Sequence, residues 1–206
     1  TSATGKTGGT SGYFALDRWK LQDGTIGTAG RCTIAQIADG PAGFANCLKI
    51  SATTADTSID AREALILQTR FEGQDLQQLK KGTSSAEQVT VSFYVKGNAA
   101  ALYVCELHDV DNGRNNTQSF AVTTDWNRIE LTFAADTSDP LDDDTAVSLS
   151  LNFWLHSGAN YSGGTFASNT WADITLANTT AVANRTSIYD STNRTFFLTG
   201  VQMEIG

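Results

Sequence analysis

The chain is poor in charge, in proline and in histidine, and it has no long apolar run. Only 17% of its 206 residues are charged, with 14 Lys and Arg against 22 Asp and Glu, a formal net charge of −8. That balance excludes a general phosphate-backbone binder, which needs a basic face, so no nucleic-acid partner is expected. No apolar stretch approaches the roughly 18 residues of a membrane-crossing helix, so no membrane insertion is expected either. The start shows no signal-peptide pattern and no initiator Met, which reads as a processed product or a piece of something longer.

Catalytic signatures are also scarce. There are two histidines, His108 and His156, and neither a Gly-x-Ser-x-Gly elbow nor a His-Glu-x-x-His motif. A glycosidase needs two carboxylates roughly 5 to 10 Å apart. Glu63, Glu72, Glu106 and Glu130 lie on or beside strand-like segments, where ion-paired sheet positions are the plainer reading. Three cysteines, Cys32, Cys47 and Cys105, form no disulfide framework and read as small buried hydrophobes, with a Cys32–Cys47 bridge left open.

What is present is β-sheet chemistry. Thr, Ser and Asn are abundant, with 18 Gly, the makeup of a turn-rich all-β domain. Residues 71–95 run from a strand end through one polar helical turn and a Gly/Ser/Thr turn into a strand. In that strand Val89, Val91, Phe93 and Val95 share one face. Strand-like segments are expected at 13–21, 31–37, 46–51, 64–71, 89–96, 101–108, 119–123, 128–133, 147–155 and 196–205. One short helix is expected near 74–80. Asn112-Gly113 signals a hairpin with a type I′ turn. The expected fold is a two-sheet antiparallel jelly-roll sandwich of about ten strands over residues 13–206. Residues 1–12, rich in Gly and Thr, are expected to be a flexible arm or linker. Phe93 and Leu151 are expected in the core.

Residues 156–193 form an irregular excursion between two core strands, and long loops on a rigid sandwich commonly carry binding. Trp154 has the opposite parity to Phe153, so it faces outward or into a groove. Tyr161, Phe166 and Trp171 lie within the excursion. With Trp154 they are the candidate glycan-binding residues, since aromatic faces stack on sugar C–H surfaces while Asn and Asp satisfy hydroxyls. Trp171 is expected to be a surface contact whose loss leaves folding nearly intact, whereas Trp126 is expected to cap the core. The acidic run holding Asp136, Asp139, Asp142, Asp143 and Asp144 offers oxygens for a structural Ca²⁺, with Asp139, Asp142, Asp143 and Asp144 as ligands. Solvated loop carboxylates are the plainer reading. No other cofactor is expected. Gly5-Lys6-Thr7 lacks the upstream glycine of a phosphate loop.

Three blocks resemble a known family: YFALDRW at 13–19, FEGQDLQQLKKG at 71–82 with the following strand, and FLTGVQMEI at 197–205. Together they resemble the jelly-roll, carbohydrate-binding-module-like domains of bacteriophage virion proteins, such as tail-fibre, head-fibre and decoration proteins of marine and cyanobacterial phages. The resemblance covers about residues 13–206. In relatives a further strand precedes the Gly/Thr arm, and it is absent here. The resemblance implies a non-enzymatic module on the phage particle surface. Its implied partners are other virion proteins, copies of itself as a homotrimer, and a bacterial surface glycan. Two other readings stand beside it: a purely structural capsid or tail protein packing on its neighbours, and a glycan-degrading enzyme module.

Overall fold

Alternating side chains make two faces per strand, and burying one face of each sheet against the other builds this domain. The computed structural model describes residues 2–6, 11–24 and 31–206. Twelve strands lie among them: β1 Ser2–Lys6, β2 Lys20–Gly24, β3 Arg31–Ile37, β4 Cys47–Thr54, β5 Ala64–Glu72, β6 Val89–Gly97, β7 Ala101–Asp109, β8 Arg114–Val122, β9 Asn127–Phe133, β10 Val147–Ser157, β11 Ala172–Asp173 and β12 Thr195–Ile205. Their order is β1-β3-β4-β12-β6-β9 in the first sheet and β11-β8-β7-β10-β5-β2 in the second. All the named pairings are antiparallel. The all-β jelly-roll sandwich expected from the sequence is the fold observed.

The core lies between the sheets. Phe93 and Leu151 are fully buried in it, as expected. Phe93, Phe120 and Phe153 meet edge to face with centroids 4.9 to 5.9 Å apart, joining β6 of one sheet to β8 and β10 of the other. The expected helix is a 3-10 helix over Gly73–Leu79, which buries Leu76 and Leu79 and ends in left-handed Lys80. A one-turn α-helix, Ala159–Ser162, opens the excursion after β10.

Several expectations are corrected. Ser2–Lys6, placed in the flexible arm, pair with β3 as an edge strand, because pairing there needs only backbone N–H and C=O groups. Thr1 and residues 7–10 of that arm, including Thr7, lie outside the described residues. The strand expected at 13–21 begins only at Lys20, since Arg18 takes φ 65° and interrupts extension. The β7–β8 hairpin sits where Asn112-Gly113 placed it, but its turn is not type I′. Of that pair only Gly113 has positive φ, and the Asp109 carboxylate accepts the Asn112 N–H at 3.0 Å. Trp126 is not a core cap. It lies half-buried beside Phe197, with Lys96 5.0 Å from its ring centroid. All three cysteines are buried. Cys32 pairs with Ala52 and Cys47 with Ile37, at opposite ends of the β3–β4 pair, so no bridge joins them.

Candidate functional site

The outward residues of the second sheet form ordered rows. One row is Arg70, Ser150, His108 and Asn115; the next is Gln68, Asn152, Glu106 and Thr117; the third is Ile66, Trp154, Val104 and Ser119. The first two rows are polar and the third is mostly apolar.

Hydrogen bonds fuse the polar rows into a chain. Arg70 Nε donates to Gln68 Oε1 at 2.7 Å, and Gln68 Nε2 donates to Asn152 Oδ1 at 2.8 Å. Asn152 Nδ2 donates to Glu106 Oε2 at 2.9 Å, and Asn115 Nδ2 donates to Glu106 Oε1 at 2.7 Å. The Trp154 indole N–H also donates to Glu106 Oε2, at 2.7 Å. Glu106 is thus a buried carboxylate solvated by side-chain N–H groups instead of water, which is what makes its burial tolerable.

The excursion after β10 roofs the apolar row. Tyr161 packs on Trp154 with centroids 5.1 Å apart, and Phe166 and Val182 pack on the same cluster of Ala64, Ile66, Val104 and Trp154. Backbone bonds hold the roof down: Asn169 N–H donates to Thr117 O, Ile174 N–H to Gly113 O and Ile188 N–H to Leu155 O. Between roof and sheet remains a cavity of about 320 Å³, lined among others by Arg70, Glu106, His108, Asn152, Trp154 and Tyr161. That is near the lower end of roughly 300 to 1,000 Å³ for small-molecule sites.

The structure thus brings Trp154, Tyr161 and Phe166 together. Trp171 is elsewhere. It is packed against the sandwich core, with its N–H donating to Ala134 O at 2.7 Å and Lys81 Nζ 5.4 Å from its ring centroid. The expectation of a surface contact is corrected accordingly: the ring closes the core near the acidic run.

That run is organised by cations of the protein itself. Lys81 Nζ lies 2.5 Å from Asp109 Oδ2 and 3.1 Å from Asp136 Oδ2, and donates to the Ser138 and Asp139 carbonyls. Arg114 pairs with Asp136 at 3.1 Å, Asp139 at 3.6 Å and Asp173 at 2.8 Å. Asp142 N–H donates to Asp111, and Asp144 accepts the Ala146 N–H. Asp139, Asp142, Asp143 and Asp144 do not converge on a common point; among the described residues one group has metal-ligating geometry, Asp56, Glu63 and His156. The four glutamates weighed for hydrolysis are also dispersed. Glu106 faces out of the second sheet, Glu130 is on β9 of the first, Glu72 ends β5, and Glu63 is buried before it.

A larger cleft, of about 860 Å³, opens between the sheets where β2 and β4 begin, with Tyr13, Trp19, Phe71, Leu151, Leu198 and Met203 among its walls. Arg70 lines it too, with Asp17, Arg18 and Asp75, but the hydrogen-bonded chain from Arg70 to Asn115 runs away from it across the second sheet. The convergent hydrogen-bonding groups that fix a polar ligand lie on the outer face, despite its smaller volume.

No protein-family model matches the chain, and no curated protein matches it in sequence. Solved structures of similar architecture include carbohydrate-binding modules. The family 11 module from Clostridium thermocellum, in complex with a β-1,3-1,4-mixed-linked tetrasaccharide, is 14% identical, covers 99% of this chain and 97% of its own, and has a TM-score of 0.47. The family 30 module of a cellulosomal cellulase of Clostridium thermocellum is 14% identical, covers 100% and 93%, and scores 0.43. An exo-β-agarase is 7% identical over 93% of this chain and 23% of its own, with a TM-score of 0.47.

Proposed function

We propose that the chain is a non-catalytic glycan-binding module whose ligand sits on the outer face of the second sheet, beneath the roof. The observation that carries this reading is the chain from Arg70 through Gln68, Asn152 and Glu106 to Asn115. Its donors and acceptors are fixed by one another before any ligand arrives, so a ligand incurs little further side-chain ordering cost. At its margin Arg70 is exposed, and His108 and Asn115 are half-buried, leaving polar atoms for sugar hydroxyls. Tyr161, Val110 and Leu176 supply the apolar side. The acidic balance of the whole chain suits a neutral ligand.

The particle context belongs to the same proposal and rests on the resemblance at residues 13–19, 71–82 and 197–205. In it the module is carried on a phage fibre or decoration protein, as a homotrimer, and contacts a host surface glycan. Individually weak sites then gain avidity from many copies. A second reading, a structural module that packs on neighbouring virion subunits, is favoured by β12. Beyond Leu198 that strand pairs only with β6 among the described residues, and Ile205 at its end is 44% exposed.

A glycan array and whole-cell binding assay on the assembled protein tests the proposal, beside light scattering for its oligomeric state. Binding to a defined sugar, weakened about tenfold or more by Arg70→Ala, His108→Ala or Tyr161→Ala, is expected. A folded oligomer that binds no glycan, or whose binding all three variants leave unchanged, overturns it.

A further inference from the structure

One end of the sandwich interior holds a polar group that the glycan face does not use. Asp56 lies just past β4, Glu63 just before β5, and His156 near the end of β10. Their relative exposures are 3%, 3% and 2%. A β-bulge between Trp154 and His156 sets His156 opposite Leu65, so it turns inward where unbroken alternation would send it out. One ligand atom from each residue lies within 4.8 Å of the others, and His156 Nε2 is 3.6 Å from Glu63 Oε2.

Two of these atoms have no hydrogen-bond partner. His156 Nδ1 meets Ser187 Oγ at 2.7 Å, which fixes the ring, but Nε2 is buried and unpartnered. Asp56 Oδ1 accepts the Ser58 N–H at 2.9 Å, but Oδ2 is buried and unpartnered. Glu63 Oε2 accepts the Asp60 N–H at 2.9 Å. Buried polar atoms that face one another without a donor between them carry a desolvation cost unless something occupies the gap.

We propose that Asp56, Glu63 and His156 bind a divalent transition-metal ion of the zinc class, with water completing the shell. Two carboxylates and one imidazole are a recognised donor set for such an ion. Ligands at about 2.0 to 2.1 Å around a tetrahedral ion lie roughly 3.3 Å from one another, so the group needs only a modest contraction. The Ser187 contact to Nδ1 supplies the outer partner that ligating histidines usually have. Calcium fits poorly, because it takes six to eight oxygens and no imidazole. The ion would lock residues 56–63 to the end of β10, where the Gly158 N–H already donates to Glu63 O and the roof begins. This inference does not depend on the glycan-binding proposal.

The test uses the full chain stripped with EDTA, titrated calorimetrically with ZnCl₂ and optically with CoCl₂. One equivalent of zinc retained through gel filtration is expected, with the visible absorption of low-coordinate Co²⁺. Tm should rise by roughly 5 to 10 °C at a hundredfold excess over Kd. His156→Gln should abolish the stoichiometric site while His108→Gln retains it. If His156→Gln fails to fold, anomalous scattering at the zinc edge from wild-type crystals decides the matter. An ion at Asp56, Glu63 and His156 supports the site; an ion only elsewhere, or none in folded protein, overturns it. So does a folded His156→Gln protein that keeps its full equivalent.

Discussion

The indole N–H of Trp154 donates to Glu106 Oε2 at 2.7 Å, from β10 to its neighbour β7. The same oxygen accepts from Asn152, and the other from Asn115. Glu106→Ala therefore strands three buried or half-buried donors at once. A loss of about 3 kcal/mol is expected in urea unfolding, with Glu106→Gln losing less because one acceptor oxygen survives. Equal losses in the two variants would mean that the network contributes little.

Lys81 is the cation on which Asp109 and Asp136 both depend. Lys81→Met should cost about 3 to 5 kcal/mol, because it leaves buried Asp109 without its counter-charge and Asp136 with Arg114 alone. The pH dependence has a defined sign. Burial alone would push the Asp136 carboxyl up, but Arg114, the Ser138 N–H and Lys81 outweigh it and hold its pKa below the ordinary value. Its contribution is therefore complete above about pH 4 and is lost as pH falls through the lower folded value. Asp136→Asn should be less stable at neutral pH and should show a shallower fall in stability below pH 4. Chemical denaturation at a series of pH values checks both.

Trp171→Ala should lower stability by about 2 kcal/mol, since it removes a half-buried ring and strands the Ala134 carbonyl. Glycan binding should change less than about twofold, because Trp171 is outside the Arg70–Asn115 face. Thermal melts and the binding assay on one preparation separate the two effects.

Phe93→Ala and Leu151→Ala should each cost about 3 kcal/mol or more, as both side chains are fully buried between the sheets. Phe93 should be the worse loss, because its ring also meets Phe120 and Phe153 edge to face. Guanidinium unfolding with unchanged m-values would confirm that only packing was altered.

The strands were largely legible because alternation is a local signal, and Val89 to Val95 obey it without interruption. The edge strand Ser2–Lys6 was not, since its pairing is backbone chemistry with no apolar pattern. Trp154 could be aimed outward from its parity with Phe153, and Tyr161 and Phe166 from their place in the excursion. Glu106 and Asn152 were missed as residues of the proposed binding face. The available clue was a polar residue at an outward position inside two apolar runs, ALYVCEL and LSLNFWL. What joins them, such as Gln68 to Asn152 across 84 positions of chain, is tertiary and has no local trace. His156 was harder still, because a bulge reverses its direction.

That bulge in β10 divides the strand into two territories. Before it, Ser150, Asn152 and Trp154 write the outer surface; after it, the chain turns its chemistry inward and ties down the roof. Changes to the first stretch can retune what the proposed binding face recognises without touching the anchorage. A one-residue deletion at Leu155 would erase the boundary: His156 would follow Trp154 in regular register opposite Leu65, on the inner side that Leu155 now shares, and every residue behind it would be drawn one step back along the strand.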